Sequence, residues 1–376
     1  MNRWRLIGLR VHLCLGVSAG LLLAVMGLTG ALMAFEDELI DWLNPPRHTT
    51  LASTQMPALP YAQLLPALER QLKGQRITLL QADESAAIIV GFTAAGKATR
   101  LLADRTTSSI KGEVRGAAFF TFVRQIHRWL AIPGQANGPG RSIIGVAALC
   151  LVLLASSGLW LAWKRLPPKT EVKASWRDRR LYRGWHLRFG LWLAPVLLWS
   201  ALTGLWWSFD WYRDGITSLL GGRAPTSATT SAAATSAASR ATPRATAEQL
   251  GTAIDMTLST LPGPSQRILL TLPRKPRQPL RLRRLPVNAS HDRAYDEYRI
   301  DPATGLILTR HQYESQRLAD KLGALMEPLH TGSWFGWPVR ALLIVSSLAL
   351  PGFAATGITM YILRRRRAKA GRCIRL

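Results

Sequence analysis

Four histidines stand at positions related by an internal repeat. His12 is followed by Gly16 at +4 and by Thr29-Gly30 at +17 and +18. His186 is followed by Gly190 at +4 and by Thr203-Gly204 at the same two offsets. A second match joins Arg141, followed at +17 by Gly158 within Ser157-Gly158-Leu159, to Arg340, followed at +17 by Gly357 within Thr356-Gly357-Ile358. A histidine precedes each arginine, His127 by 14 residues and His330 by 10. The chain therefore reads as two copies of one unit, both running in the same direction. The histidines fall into two pairs, His12 with His186 and His127 with His330. Two neutral imidazoles from different helices at one depth suit haem iron, where paired axial histidines leave no open position and serve electron transfer. Gly16 and Gly190, one turn beyond His12 and His186, would let a flat macrocycle lie close to the helix. Gly16 with Gly20 equally fits plain helix packing. Arg10 and Arg188 near the first pair, and Arg124, Arg128 and Arg141 near the second, are candidate propionate partners. Their alternative is ordinary snorkelling at an interface. A proton route or a four-histidine metal route is the competing chemistry, weakened by the scarcity of acidic residues in the apolar stretches. His48, His291 and His311 have no repeat partner and read as surface residues.

Histidines at a shared depth require helices that cross an apolar layer. Four apolar stretches are long enough: Val11–Phe35, Ser142–Trp163, His186–Phe209 and Pro338–Leu363. The first is too long for a signal-peptide core. Of the 48 Lys and Arg residues in the 376-residue chain, 19 fall in the short segments 1–11, 164–188 and 364–376, against 2 acidic residues. This distribution explains most of the net charge of +26 and excludes a nucleic-acid-binding face, because basic residues confined to span ends follow the positive-inside rule. Both termini are thereby expected on the inner, cytoplasmic side of the membrane in a multi-pass protein. The expected order is span 1 (1–35), outside domain (36–141), span 2 (142–163), basic cytoplasmic loop (164–185), span 3 (186–209), outside domain (210–337), span 4 (338–363) and basic tail (364–376). Trp160, Trp163, Trp206, Trp207, Trp334 and Trp337 mark span ends as an aromatic belt. Three scattered cysteines exclude a disulfide framework and a cysteine-based zinc site.

Each outside segment carries a helix followed by short strands. Tyr61–Lys73 is amphipathic, and Ile77–Leu80, Ala87–Phe92, Arg100–Leu102 and Ile110–Val114 read as strands. In the second segment the helix is Ala247–Leu261 and the strands are Ile268–Leu272, Leu280–Leu285, Asp296–Ile300 and Leu306–Leu308, the last two joined by the turn Asp301-Pro302-Ala303-Thr304-Gly305. An Ala/Ser/Thr-rich linker, 221–246, is expected to be disordered. Arg281, Arg283 and Arg284 offer an anionic ligand a basic strand, or form a solvated strand edge. Glu36, Asp37, Glu38 and Asp41 cluster after span 1, where they either attract a cation or end the helix.

With these residues in view the chain resembles the PepSY-associated transmembrane-helix proteins, many of them iron-regulated membrane proteins. The carriers are V-H-L-C-L-G (Val11–Gly16) with G-L-T-G-A-L (Gly27–Leu32), I-H-R-W-L (Ile126–Leu130) with S-S-G-L-W-L-A-W (Ser156–Trp163), and W-H-L-R-F-G-L-W (Trp185–Trp192) with A-L-T-G-L (Ala201–Leu205). D-P-A-T-G (Asp301–Gly305) and P-L-H-T-G-S-W-F-G (Pro328–Gly336) complete the set. The family includes di-haem ferrisiderophore reductases of the inner membrane. The resemblance implies a four-helix membrane bundle of two parallel repeats with two α+β PepSY-like periplasmic domains. It also implies two b-type haems, one toward each face of the membrane, with His12/His186 and His127/His330 as axial ligands. The implied activity is reduction of a periplasmic ferric siderophore or other ferric chelate by electrons from a cytoplasmic or quinol donor. Family members often carry His-Arg in spans 1 and 3; here Leu13 and Leu187 follow the histidines. Two other functions fit the same outline, a haem-free envelope regulator acting on a peptidase and an iron or siderophore permease.

Overall fold

The computed structural model describes residues 3–48, 57–94, 97–163, 178–222, 245–276 and 278–373. In chain order the elements are α1 (Arg3–Met33), α2 (Glu36–Leu43), α3 (Tyr61–Gln71), β1 (Ile77–Asp83), β2 (Ala87–Ala94), β3 (Lys97–Asp104), β4 (Ile110–Glu113), α4 (Ala117–Trp129) and α5 (Pro139–Ala162). They continue with α6 (Arg179–Ser208), α7 (Asp210–Leu219), α8 (Ala247–Thr260), β5 (Ser265–Thr271), β6 (Leu280–Pro286), β7 (Asp296–Ile300), β8 (Ile307–His311), α9 (Leu318–Thr331) and α10 (Trp337–Cys373). Most of the cytoplasmic loop expected at 164–185 and of the linker expected at 221–246 lies outside the described residues.

The chain divides into two compact units. One comprises Met1–Glu36, Phe119–Ile216 and Met326–Leu376. Its frame is α1, α5, α6 and α10, each long and apolar enough to cross a membrane. These helices run past the apolar stretches read from sequence, because the flanking Arg residues are good helix formers. Pro139 starts α5 at a position where its missing N–H costs nothing. Asp178 caps α6 by accepting from the Arg180 backbone N–H at 3.0 Å. α1 packs on α10 and α5, and α6 packs on the same two helices. Gly27 permits a close α1–α10 approach: a Cβ there would lie 2.3 Å from the Ser347 carbonyl oxygen. Outward-facing apolar side chains such as Leu21 and Trp192 are 75% and 76% exposed, as lipid-facing residues should be. The arginines that open α5 and α10 cap other spans. Arg141 Nε donates to the Trp207 carbonyl at 2.7 Å, and Arg340 donates to the Ala34 carbonyl, so each meets the carbonyl end of α6 or α1.

The other unit comprises Asp37–Ala118 and Thr217–Leu325. Here the structure departs from the expectation of two domains. The strands form one eight-stranded antiparallel sheet in the order β4-β3-β2-β1-β5-β6-β7-β8. Its centre is the pairing of β1 with β5, which zips Leu79–Asp83 against Thr271–Arg267. One core serves both halves: Tyr61, Leu64, Leu65 and Leu68 of α3 and Leu250, Ala253 and Ile254 of α8 pack over Leu80, Val90, Leu270, Leu282 and Tyr298. Gly251 lets α8 reach the start of α3, and Asp255 accepts from the Tyr61 and Ala62 N–H groups at 3.0 and 2.9 Å. Neither four-stranded half could bury both its central edge and its helix alone. The β7–β8 turn forms as expected, with Asp301 accepting from Ala303 and Thr304 and Gly305 at φ +73°. Segments assigned to the outside domains at 119–141, 210–216 and 326–337 belong instead with the spans. Arg284 is not a surface residue. It is 3% exposed, and its guanidinium donates to the carbonyls of Pro262, Gly263 and Pro264 and to the Ser265 hydroxyl.

Candidate functional site

All four repeat-related histidines lie in the helical unit. His12 is on α1 and His186 on α6, and their ring centroids are 6.2 Å apart with ring planes at 83°. His12 Nδ1 lies 2.9 Å from Ser157 Oγ on α5, and His186 Nδ1 lies 2.9 Å from Thr356 Oγ1 on α10. The second pair comes from the shorter helices: His127 on α4 and His330 on α9. His127 Nδ1 is 3.0 Å from Thr29 Oγ1 on α1, and His330 Nδ1 is 2.9 Å from Thr203 Oγ1 on α6. Burial first, and then the nearby His330, holds the His127 imidazole below its ordinary pKa; burial does the same to His330. Both rings are therefore neutral at pH 7, as metal ligands must be.

The hydroxyls decide the tautomer. A Ser or Thr hydroxyl has one proton. Thr29 donates it to the Val25 carbonyl at 2.7 Å, Thr203 to Trp199 at 2.9 Å, Thr356 to Gly352 at 2.7 Å and Ser157 to Leu154 at 3.3 Å. With the proton so placed, each hydroxyl accepts from Nδ1–H of its histidine. That assignment, made from the hydrogen-bond network, leaves Nε2 of all four imidazoles with a free lone pair. The residue after each hydroxyl is glycine, and at Gly30 and Gly204 the glycine makes room for the ring. A Cβ would stand 3.4 Å from His12 Cε1 at Gly158, 3.9 Å from His186 Cε1 at Gly357, 3.1 Å from His127 Cε1 at Gly30 and 3.3 Å from His330 Cε1 at Gly204. Every histidine thus sits on a Ser/Thr-Gly dipeptide of a neighbouring helix. These dipeptides are visible in the sequence as repeat markers, but sequence reasoning gave the hydroxyls no role.

Gly16 and Gly190 behave differently. A Cβ at Gly16 would meet Leu154 at 3.8 Å and one at Gly190 would meet Phe353 at 3.9 Å, ordinary contacts. Packing within the chain does not require glycine at either position. A Cβ at Gly20 would likewise meet Ala354 at 3.5 Å, an ordinary contact.

A model of the PepSY-associated TM region matches residues 9–364. The chain belongs to that family. It is accordingly a multi-pass membrane protein with four apolar spans. No curated protein matches the chain.

The arginines proposed for this PepSY-associated protein are placed unevenly. Arg124 forms an ion pair with Glu36, and Arg141 pairs with Asp210 at 2.8 Å while capping α6. Arg128 lies over the Trp129 ring at 4.9 Å, with Arg124 and Arg141 near enough to affect its charge. Arg10 is exposed and Arg188 half-buried. Of the acidic group after span 1, Glu36 meets Arg124 and Asp41 meets Arg47 at 2.6 Å. His291 donates or accepts at the Tyr313 hydroxyl, 2.8 Å away, apart from the repeat-related four.

The donor set fits haem. Two imidazoles bonded end-on to one ion at about 2 Å per bond place their centroids about 6 Å apart, close to the 6.2 Å between His12 and His186. Among the described residues no group of three or more His, Cys, Asp or Glu side chains converges as a metal site. A pair of histidines needs further donors to complete an ion's coordination, and a macrocycle brings four of its own.

Proposed function

We propose that this protein is a two-haem electron conduit of the bacterial inner membrane that reduces chelated ferric iron, chiefly ferric siderophore, on the periplasmic side. The observation that carries the reading is the His12–His186 pair at 6.2 Å with both Nδ1 atoms engaged by hydroxyls. His127 and His330 repeat the arrangement with Thr29 and Thr203. Haem b held by each pair supplies a reversible one-electron change at iron.

The chain's own residues do the rest. Ser157, Thr356, Thr29 and Thr203 orient the imidazoles and keep Nε2 unprotonated. Gly16 and Gly190 leave flat helix surface beside the first pair, where packing alone would accept a larger residue. The basic residues at 1–11, 164–188 and 364–376 set both termini in the cytoplasm, so the sheet unit is periplasmic. The two halves of that unit correspond to two PepSY-like repeats sharing one sheet. The net reaction takes one electron per ferric ion. A quinol donor would serve two ferric ions and release two protons; a cytoplasmic reductant would serve in its place. Reduction weakens the grip of hard oxygen ligands and frees ferrous iron.

Anaerobic stopped-flow tests this directly. Dithionite-reduced protein, freed of excess reductant, is mixed with a ferric chelate while haem absorbance and ferrous iron are recorded. One ferrous ion formed per haem oxidised is the expected result. Haem that remains reduced in the presence of a range of ferric siderophores and chelates contradicts it.

A further inference from the structure

We propose that the face of the second half of the sheet opposite α3 and α8 binds an anionic, carboxylate-bearing ferric chelate through Arg267, Arg281, Arg283 and Arg299. Directly opposed residues of antiparallel strands share a face. The register sets Leu269 against Arg283, Arg283 against Glu297, Arg281 against Arg299 and Glu297 against His311. These side chains lie opposite the core positions Leu282, Tyr298 and Ile300, which α3 and α8 cover. In the first half the corresponding face is apolar, with Ala87, Ile89, Leu102 and Val114 clustered beneath Ile40 of α2. The cluster of arginines therefore belongs to the second half, while the first half contributes Arg100 at its margin.

Among the described residues, carboxylates near these four arginines are shared between cations. Glu297 serves both Arg281 at 2.5 Å and Arg299 at 3.8 Å. Asp83 lies across from Arg267 but already accepts from Arg47 at 2.9 Å, and Asp37 adds a second carboxylate near Arg267. Arg283 lies over the ring of Tyr295, which is 8% exposed, at 5.4 Å. Nε of Arg283 is buried without a hydrogen-bond partner among the described residues, whereas the Arg267 guanidinium has the Tyr295 side chain as a neighbour. Burial and the neighbouring Arg281 both depress the Arg283 guanidinium. Arg283, with an N–H that has no acceptor, lies beside Arg267 and a buried phenol and is flanked by two exposed arginines, a set of forks for carboxylates. Buried N–H groups of this kind carry a cost that an accepting ligand removes. Arg284, next in sequence, is excluded by its carbonyl cage.

The inference rests on the ferric-chelate reading, and gallium(III) citrate separates the two, since it resembles the ferric chelate but accepts no electron. Equilibrium dialysis of the full-length chain in neutral-lipid nanodiscs against gallium citrate measures binding whether or not haem is reduced. Saturable binding is expected, weakened at least ten-fold by Arg281→Gln/Arg283→Gln. Arg281→Lys/Arg283→Lys, which keeps the charge and loses the forks, should fall between. Equal binding by wild type and the Gln variant, absence of saturable binding, or equal binding of metal-free citrate would overturn the proposal. Gallium binding without ferric reduction would leave this face standing and remove the redox reading.

Discussion

Thr203 shows what a single residue must do at these sites. Its side chain is 8% exposed, its proton is committed to the Trp199 carbonyl, and its oxygen holds His330 at 2.9 Å. Thr203→Val keeps the shape and removes the acceptor. The outer partner of a metal-bound imidazole is worth about 10- to 100-fold in affinity. Thr203→Val is therefore expected to lower haem retention at the second site at least ten-fold and shift its reduction potential, while Thr203→Ser retains both. A redox titration with haem counting would check this; a Val variant indistinguishable from wild type would remove the role assigned to the hydroxyl. Gly30→Ala acts on the same seat by another route, since its Cβ would press within 3.1 Å of His127 Cε1. It should displace the ring and reduce second-site haem, leaving the first site intact in the difference spectrum. The histidines were legible because a repeat aligns them without any knowledge of contacts. The work of Ser157 and Thr356 was not, because seventeen residues along one helix do not say which face another helix presents. Arg124 and Arg141 were legible as cations near a pair, but not as partners of Glu36 and Asp210.

Among the elements, the spans are held by close backbone approach and by arginine caps. Gly27→Ala drives a Cβ into the Ser347 carbonyl and Leu350. Overpacking of this kind costs about 1–3 kcal/mol, and the variant should melt at a lower temperature in detergent. Gly323→Ala on α9 meets nothing within 4 Å and should melt at or above wild type, since alanine favours a helix by about 1 kcal/mol. The reverse order would show that α1 and α10 are not packed as described. In the sheet unit, Arg284→Leu leaves three carbonyls and a hydroxyl without their donor. A loss of about 3 kcal/mol or more is expected in chemical unfolding, against about 1 kcal/mol or less for the exposed Arg281→Leu. Composition made the apolar spans plain. It could not separate Arg284 from Arg281 and Arg283, because the three share a strand and only the register and the 262–265 loop decide which one points inward. The short helices α2, α4, α7 and α9 escaped notice in a similar way: their apolar faces are brief, and α4 merges with the residues read as the approach to span 2.

For the whole molecule, the repeat has a structural consequence that no local pattern announces. Two segments between the spans, each reading in sequence as an independent α+β domain, share one sheet because β1 and β5 pair across 181 intervening residues. Strand pairing at that sequence separation depends on the tertiary arrangement, and periodicity within either segment is satisfied with or without it. The repeat read in the sequence assigns one histidine from each copy to each of the two proposed sites, so the central claim is a claim about pairing. Haem content and reduced-minus-oxidised spectra of purified protein, expressed with ample haem, test it most directly across the four single His→Ala variants and two double variants. Two six-coordinate b-type haems per chain are predicted for wild type and one for each single variant. The same haem should be lost in His12→Ala and His186→Ala, and the other in His127→Ala and His330→Ala. His12→Ala/His186→Ala should still hold one haem and His12→Ala/His127→Ala none. A colourless wild-type protein, or loss of different haems by the two members of one pair, would contradict the account.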